Sequence, residues 1–222
     1  METSAFSCIL WDVDGTIADA SRGMFARLTT VLESFGRPTP TTDELALWMG
    51  PPMLESFQLR AGMSPEEAQE ALTTYRGLSS GEGYAASVDL YPGVPEIVRA
   101  VAAAGVPQST ASTKPEVQVR AILDHFGLLP DFTALSGARS GIEGQLDGKA
   151  FVVERALERL AAAGADISRP VLIGDRHHDV DGGAEHDIPV IFVEWGFGLP
   201  EEAAGAIHHA MTPEELRALI LR

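Results

Sequence analysis

Along most of this chain, short apolar runs alternate with amphipathic helical patterns, and one long stretch breaks that rhythm. Runs at 6–12, 106–111, 132–136, 170–174 and 190–193 read as strands. Helical patterns at 94–104, 115–127, 149–163, 179–186 and beyond Thr212 follow or separate them, several closed by glycine (Gly105, Gly127, Gly164). A strand followed by a helix and another strand needs a crossover, so the alternation predicts a parallel sheet covered on both faces. Residues 17–86 show only helical signals. Met24, Phe25, Leu28, Val31, Leu32 and Phe35 recur near the helical period, and Gly36 and Pro38 end that helix. A short helix is expected from Thr42-Asp43 through Trp48, then a break at Pro51-Pro52 and helix again over 53–61. Ser64-Pro65-Glu66-Glu67 has the form of a capping box, opening a helix to about Gly81. The fold class expected is therefore α/β: a sheet core from residues 1–16 and 87–222, with a helical insert over 17–86.

The formal net charge of −16 repels polyanions, which argues against nucleic acid as a partner. An anionic small substrate would need local positive charge to offset that field. Cys8 is the sole cysteine, so no intramolecular disulfide is possible, and its apolar surroundings suit a small core residue. Met-Glu-Thr-Ser-Ala lacks the basic flank and apolar segment of a signal peptide. No apolar run approaches the roughly 18 residues of a membrane span. The expectation is a soluble, cytoplasmic protein.

The first apolar run ends in Asp12-Val-Asp14-Gly-Thr16. A turn explains Asp-Gly. Two carboxylates one residue apart at the end of a buried strand are harder to explain without a cation, because desolvated like charges repel. Mg2+ is suited to carboxylate and carbonyl oxygens. Ligands of open parallel sheets bind beyond the carboxyl ends of strands, so the residues after each strand matter. Ser112, Thr113 and Lys114 follow the second run, and Gly174, Asp175 and Asp179 close the fourth. Lys149 opens a helix. Such a set suits phosphoryl transfer, which demands positioning and charge neutralisation. Asp12 is the candidate nucleophile and Asp14 the candidate acid and base. Ser112 and Lys149 are candidates to grip phosphate oxygens. Asp12, Asp175 and the backbone carbonyl of Asp14 are candidate metal ligands, with Asp179 holding a metal-bound water. Each group also has a plain reading: acids at a helix start, a serine cap, a surface lysine. His177 and His178 read as loop residues, because a hard cation does not seek imidazole. His208-His209 reads as surface, and Trp195-Gly-Phe-Gly198 as a packed loop without a catalytic role.

Taken in order, these segments resemble the four motifs of the haloacid dehalogenase superfamily, in its phosphoglycolate phosphatase-like branch. The matching residues are Ile9-Leu10-Trp11-Asp12-Val13-Asp14-Gly15-Thr16, Ser112 in Ala111-Ser-Thr-Lys-Pro115, Lys149, and Gly174-Asp-Arg-His-His-Asp179. The helical insert falls where that family carries its cap, and Trp48-Met-Gly-Pro-Pro-Met-Leu-Glu-Ser-Phe57 resembles a cap segment. The resemblance implies a Rossmann-like core and a Mg2+-dependent phosphatase with Asp12 as nucleophile. The implied substrate is a small phosphomonoester, phosphoglycolate- or nucleotide-like. The proline-stiffened segment Trp48-Met-Gly-Pro-Pro52 either brings Met49 and Gly50 to the leaving group or only connects two helices of the insert. Ser112, Ile17 and His186-Asp187 depart from the usual Thr, Leu and Asn-Gly. A phosphosugar mutase of the same superfamily and a non-catalytic binding protein on this fold are the competing readings. The residues leave the oligomeric state and pathway open.

Overall fold

The computed structural model describes residues 3–41, 44, 45, 47–49, 53–79, 84–141 and 143–222. They form two compact units, Ala20–Val88 and the remainder, Met1–Asp19 with Asp89–Arg222. The boundaries thus fall at Asp19/Ala20 and Val88/Asp89 rather than at 16/17 and 86/87. The reason is a pairing that the helical reading of 17–86 did not contain. β2 (Ala18–Asp19) and β3 (Asp89–Leu90) run antiparallel, Ala18 opposite Leu90, and so belong to the sheet unit.

The larger unit is built on a five-stranded sheet in the order β4-β1-β5-β6-β7. Its members are β1 (Cys8–Trp11), β4 (Gln108–Thr110), β5 (Pro170–Gly174), β6 (Val190–Val193) and β7 (His208–Ala210), all parallel. Cys8, Ile9, Leu10 and Trp11 are each fully buried. Since neighbours on a strand point to opposite faces, both faces are covered, as the crossovers require. On one face Cys8, Leu10, Leu172, Val190 and Phe192 pack with Val153, Ala156 and Leu160 of α6 (Lys149–Ala162) and Val180 of α7 (His177–Ala184). The remaining helices of this unit are α4 (Val94–Ala103), α5 (Glu116–His125) and α8 (Pro213–Ile220).

One strand expectation is corrected, and one strand was not foreseen. Residues 132–136 form no strand; Ala134 makes one isolated bridge to Ser109, and Thr110 Oγ1 binds both the N–H and the C=O of Ser136. Backbone bonds remain from Thr133 N–H to the Gln108 carbonyl at 2.9 Å and from Ser112 N–H to the Ser136 carbonyl at 3.1 Å, with the Thr110 side chain bonded to Ser136 between them. Conversely, His208 and His209 do lie on a strand, the exposed edge β7. Two adjacent polar residues gave no apolar alternation to reveal it.

The smaller unit holds α1 (Ser21–Ser34), α2 (Met53–Leu59) and α3 (Pro65–Ser79). The capping box is present: Glu67 N–H donates to Ser64 Oγ at 3.2 Å and Ser64 N–H to Glu67 Oε2 at 2.9 Å. Phe57, fully buried, sits edge-on between Trp48 at 5.5 Å and Tyr75 at 6.4 Å between ring centroids. Arg27 covers the rings of Tyr84 and Tyr75. Thr42, Asp43, Pro51 and Pro52 lie outside the described residues. No helix among the described residues is long and apolar enough to cross a membrane.

Candidate active site

Strand register assembles the site. Trp11 lies opposite Thr110 on one side and Ile173 on the other, so the residues that follow all three emerge along one edge. Asp12 comes one residue after β1, Ser112 two after β4, and Asp175 one after β5. Asp12, Ser112, Lys149, Asp175 and Asp179 are all buried, between 0% and 8% exposed. Carboxylate oxygens of Asp12, Asp175 and Asp179 lie within 4.8 Å of one another.

Lys149 is the counter-charge at the centre of this group. Its Nζ donates to Asp12 Oδ1 at 2.8 Å and to the carbonyl of Ala111 at 2.8 Å, and lies 2.6 Å from Asp179 Oδ1. Asp12 and Ala111 take two of the three ammonium donors as hydrogen bonds, and Asp179 Oδ1 is held as a close ion pair. Burial works against its charge, but Asp12 and Asp179 outweigh burial and hold Lys149 above its ordinary value. Contact with a phosphate would require one acceptor to be exchanged. Gly182 of α7 makes room for the lysine stem: a Cβ there would lie 2.4 Å from Lys149 Cγ. Arg139 anchors the approach to α6, binding Asp147 through Nη2 at 2.8 Å and its own backbone N–H at 2.8 Å.

Asp179 does more than was expected of it. Its Oδ2 accepts the N–H groups of Asp175 at 3.1 Å and Arg176 at 3.0 Å, which starts α7. That cap moves the helix start to His177, two residues before the expected Asp179. His177 and His178 are therefore helical, not loop, with rings 3.9 Å apart. Glu202 holds Arg176 and His177, accepting from Arg176 Nε and bonding His177 Nδ1, both at 2.8 Å. Burial would raise the Glu202 carboxyl, but Arg176 and His177 outweigh it and bring it to about 2.

Asp14 faces a different partner. Its Oδ2 pairs with Lys114 Nζ at 2.8 Å. About a third of the side chain is exposed (32%), yet Oδ1 is enclosed and has no hydrogen-bond partner among the described residues. Burial pushes this carboxyl up, and Lys114 only partly opposes the shift. A carboxyl poised this way suits proton donation. Lys114 was named in the sequence only as following a strand; the ion pair is what singles it out.

Asp175 is fully buried and its carboxyl is raised well above the ordinary value by burial, then by Asp179 and Asp12. Burial also raises Asp179, with Lys149 opposing and Asp12 adding to it. Gly15, at φ +85°, lets the β1 loop approach so closely that a Cβ would meet Asp175 Oδ2 at 2.0 Å. Ser112, beside the carbonyl that binds Lys149, has its Oγ accepting the Lys114 N–H at 3.3 Å. Met49 is 3% exposed in the helical unit, and Gly50 lies outside the described residues.

The donor set fits a hard divalent cation. Three buried carboxylates against one ammonium leave two net negative charges, all on oxygen.

The sequence model of the haloacid dehalogenase-like hydrolase family matches residues 9–193, and the chain belongs to that family. A relative from Mycobacterium tuberculosis named tyrosine-protein kinase PtkA is 35% identical over 213 residues, covering 94% of this chain and 70% of the relative. A 5'-nucleotidase of Pseudomonas aeruginosa is 30% identical over 195 residues, covering 87% and 85%. Among solved structures, a predicted phosphatase from Clostridium acetobutylicum superposes with a TM-score of 0.85 at 28% identity, covering 97% and 98%.

Proposed function

We propose that this member of the haloacid dehalogenase-like hydrolase family is a Mg2+-dependent phosphatase of small phosphomonoesters, working through an aspartyl phosphate. The observation that carries the reading is the convergence of Asp12, Asp175 and Asp179 around Lys149, with the raised carboxyl of Asp14 beside them. Asp12, Asp175, Asp179 and the Asp14 backbone carbonyl would hold Mg2+, which when bound neutralises phosphate charge. The Asp12 carboxylate attacks phosphorus; the P–O bond to the leaving group breaks as the Asp12–phosphorus bond forms. Asp14 gives its proton to the departing oxygen. It then accepts a proton from water as that water attacks phosphorus, which releases orthophosphate and restores Asp12. Ser112 and Lys149 would bind the equatorial oxygens of the phosphoryl group being transferred. Residues 17–86 would serve as a cap, with Met49 and Gly50 reading the leaving group. The relative named 5'-nucleotidase supports a nucleotide-like substrate as one possibility; phosphoglycolate-like esters are the other.

Hydrolysis of p-nitrophenyl phosphate with and without Mg2+ tests the core of the reading. Metal-dependent release of p-nitrophenol is expected; no turnover at any Mg2+ concentration would refute it. A panel of phosphate esters on Met49→Ala tests the cap role, which predicts altered preference among esters rather than uniform loss.

A second reading has one specific support, the 35% identity to a protein named a tyrosine kinase. A phosphoryl group on Asp12 needs only a phenolic acceptor in place of water. Incubation with ATP and a tyrosine-containing peptide separates the two: phosphotyrosine favours the kinase reading, and free phosphate alone favours the phosphatase. The mutase reading predicts isomerisation of a hexose 1-phosphate with little free phosphate.

A further inference from the structure

The loop after β6 was given no role beyond packing, yet it is wired to the most deeply buried carboxylate of the site. Phe197 N–H donates to Asp175 Oδ2 at 2.8 Å. On the other side of the same carboxylate, Thr16 Oγ1 donates to Asp175 Oδ1 at 3.2 Å. Trp195 joins the two supports, its indole N–H donating to the carbonyl of Thr16 at 3.1 Å. The result is a closed circuit through three separate strand ends: Thr16 after β1, Asp175 after β5, and Trp195 to Phe197 after β6. Gly196 lies flat against the carboxylate, since a Cβ there would meet Asp175 Oδ2 at 2.3 Å. The base of the loop is tied down as well: Glu194 N–H bonds the carbonyl of Ala210 at 3.0 Å.

We propose that Trp195 is a positioning residue for Asp175, locking together the two loops whose donors aim that carboxylate at a divalent cation. The proposal rests on the reading of Asp12, Asp175 and Asp179 as a Mg2+ site. A carboxylate has about four acceptor positions, two on each oxygen. Thr16 and Phe197 take one on each, which fixes the plane of the group and leaves a position on each oxygen for a metal. Such outer partners orient ligands before the cation arrives and tune its affinity. Thr16 and Phe197 touch Asp175 directly. Trp195 acts one bond further out, through both of them. Trp195 is half-buried, and replacing indole by phenyl keeps an aromatic ring while removing the donor.

The test is a calorimetric titration of substrate-free protein with Mg2+, on wild type, Trp195→Phe, Thr16→Val and the double variant. Melting in EDTA is measured alongside. Trp195→Phe is expected to weaken Mg2+ binding about fivefold, and Thr16→Val at least about tenfold. Because both act on one carboxylate, the double variant is expected to lose less than the product of the two factors. A merely structural tryptophan would lower the melting temperature in EDTA and leave the affinity of the folded protein for Mg2+ unchanged. That outcome, or a double variant showing the full product, would overturn the proposal. If Trp195→Phe does not fold, Trp195→Leu, which also lacks the donor, takes its place under the same criteria. Should wild type itself bind no Mg2+, the cation reading and this inference both fail; a wild type that binds beside an unaffected Trp195→Phe removes this inference alone.

Discussion

The sheet unit and the helical unit bury different things. At the carboxyl edge of the sheet, four charged side chains are withdrawn from water: Asp12, Asp175 and Asp179 shortly after β1 and β5, and Lys149 at the start of α6. Among the described residues of Ala20–Val88 the buried interior is apolar and aromatic apart from Ser56, built on Phe57, Leu28, Leu32 and Trp48. Burying charge costs stability unless each group is paired, so the first region is held by chemistry that tolerates few substitutions. The second is held by volume and periodicity, which many residues satisfy. One region therefore announces a reaction, and the other announces only a helical bundle.

The largest expected effect breaks the comparison at its chemical side. Asp12→Asn keeps the shape and removes the charge proposed to attack phosphorus, so phosphatase turnover should fall by several orders of magnitude. Near wild-type turnover in verified protein would take Asp12 out of the reaction. On the packing side, Phe57→Ala should destabilise by about 3–5 kcal/mol, measured by urea unfolding, because a fully buried ring leaves a cavity. A cost below about 1 kcal/mol would mean that the aromatic cluster is not what holds this unit.

Metal dependence sharpens the contrast through pH. Burial holds the carboxyls of Asp14, Asp175 and Asp179 above the ordinary 3.8. A carboxyl raised in the folded state binds its proton more tightly there than in the unfolded chain. Its stabilising contribution is thus full below about pH 4 and is lost as pH rises through the folded value. Mg2+ should offset that loss by binding the anionic forms. The gap between melting temperatures in Mg2+ and in EDTA is expected to widen as pH rises from about 4 to 7. A gap that stays constant would contradict the burial argument.

The smallest effect lies where α7 ends. Asp187 has φ +56°, a conformation that glycine adopts without strain. Asp187→Gly should stabilise by about 0.5–1 kcal/mol in chemical denaturation. A loss of stability would show that the Asp187 side chain is needed there.

Much of the site was legible because its residue types are constrained where strands end. Asp12, Asp14, Ser112, Lys149, Asp175 and Asp179 could be picked out in order along the chain. Their partners could not. Nothing in Lys114 distinguishes a surface lysine from one paired with Asp14 at 2.8 Å. Trp195 to Phe197 is separated from Thr16 by most of the chain, and no local pattern announces a bond across that distance. β7 was missed because two exposed histidines carry no alternation. The segment at 132–136 meets β4 through one isolated bridge, a few backbone bonds and the Thr110 side chain, without a continuous ladder.

What the sequence determined by itself is the alternation of strand and helix, the helical insert, and the candidate residues for a phosphoryl-transfer reaction. These are local properties, set by side-chain period and by the chemistry of each group. The tertiary structure decided which charges meet. It made Lys149 the shared partner of Asp12 and Asp179, set Asp14 against Lys114, and enclosed Asp175 between two loops. Those choices depend on strand register and close approach across the sheet, which bring together residues far apart in the chain, and no window of neighbouring residues contains them.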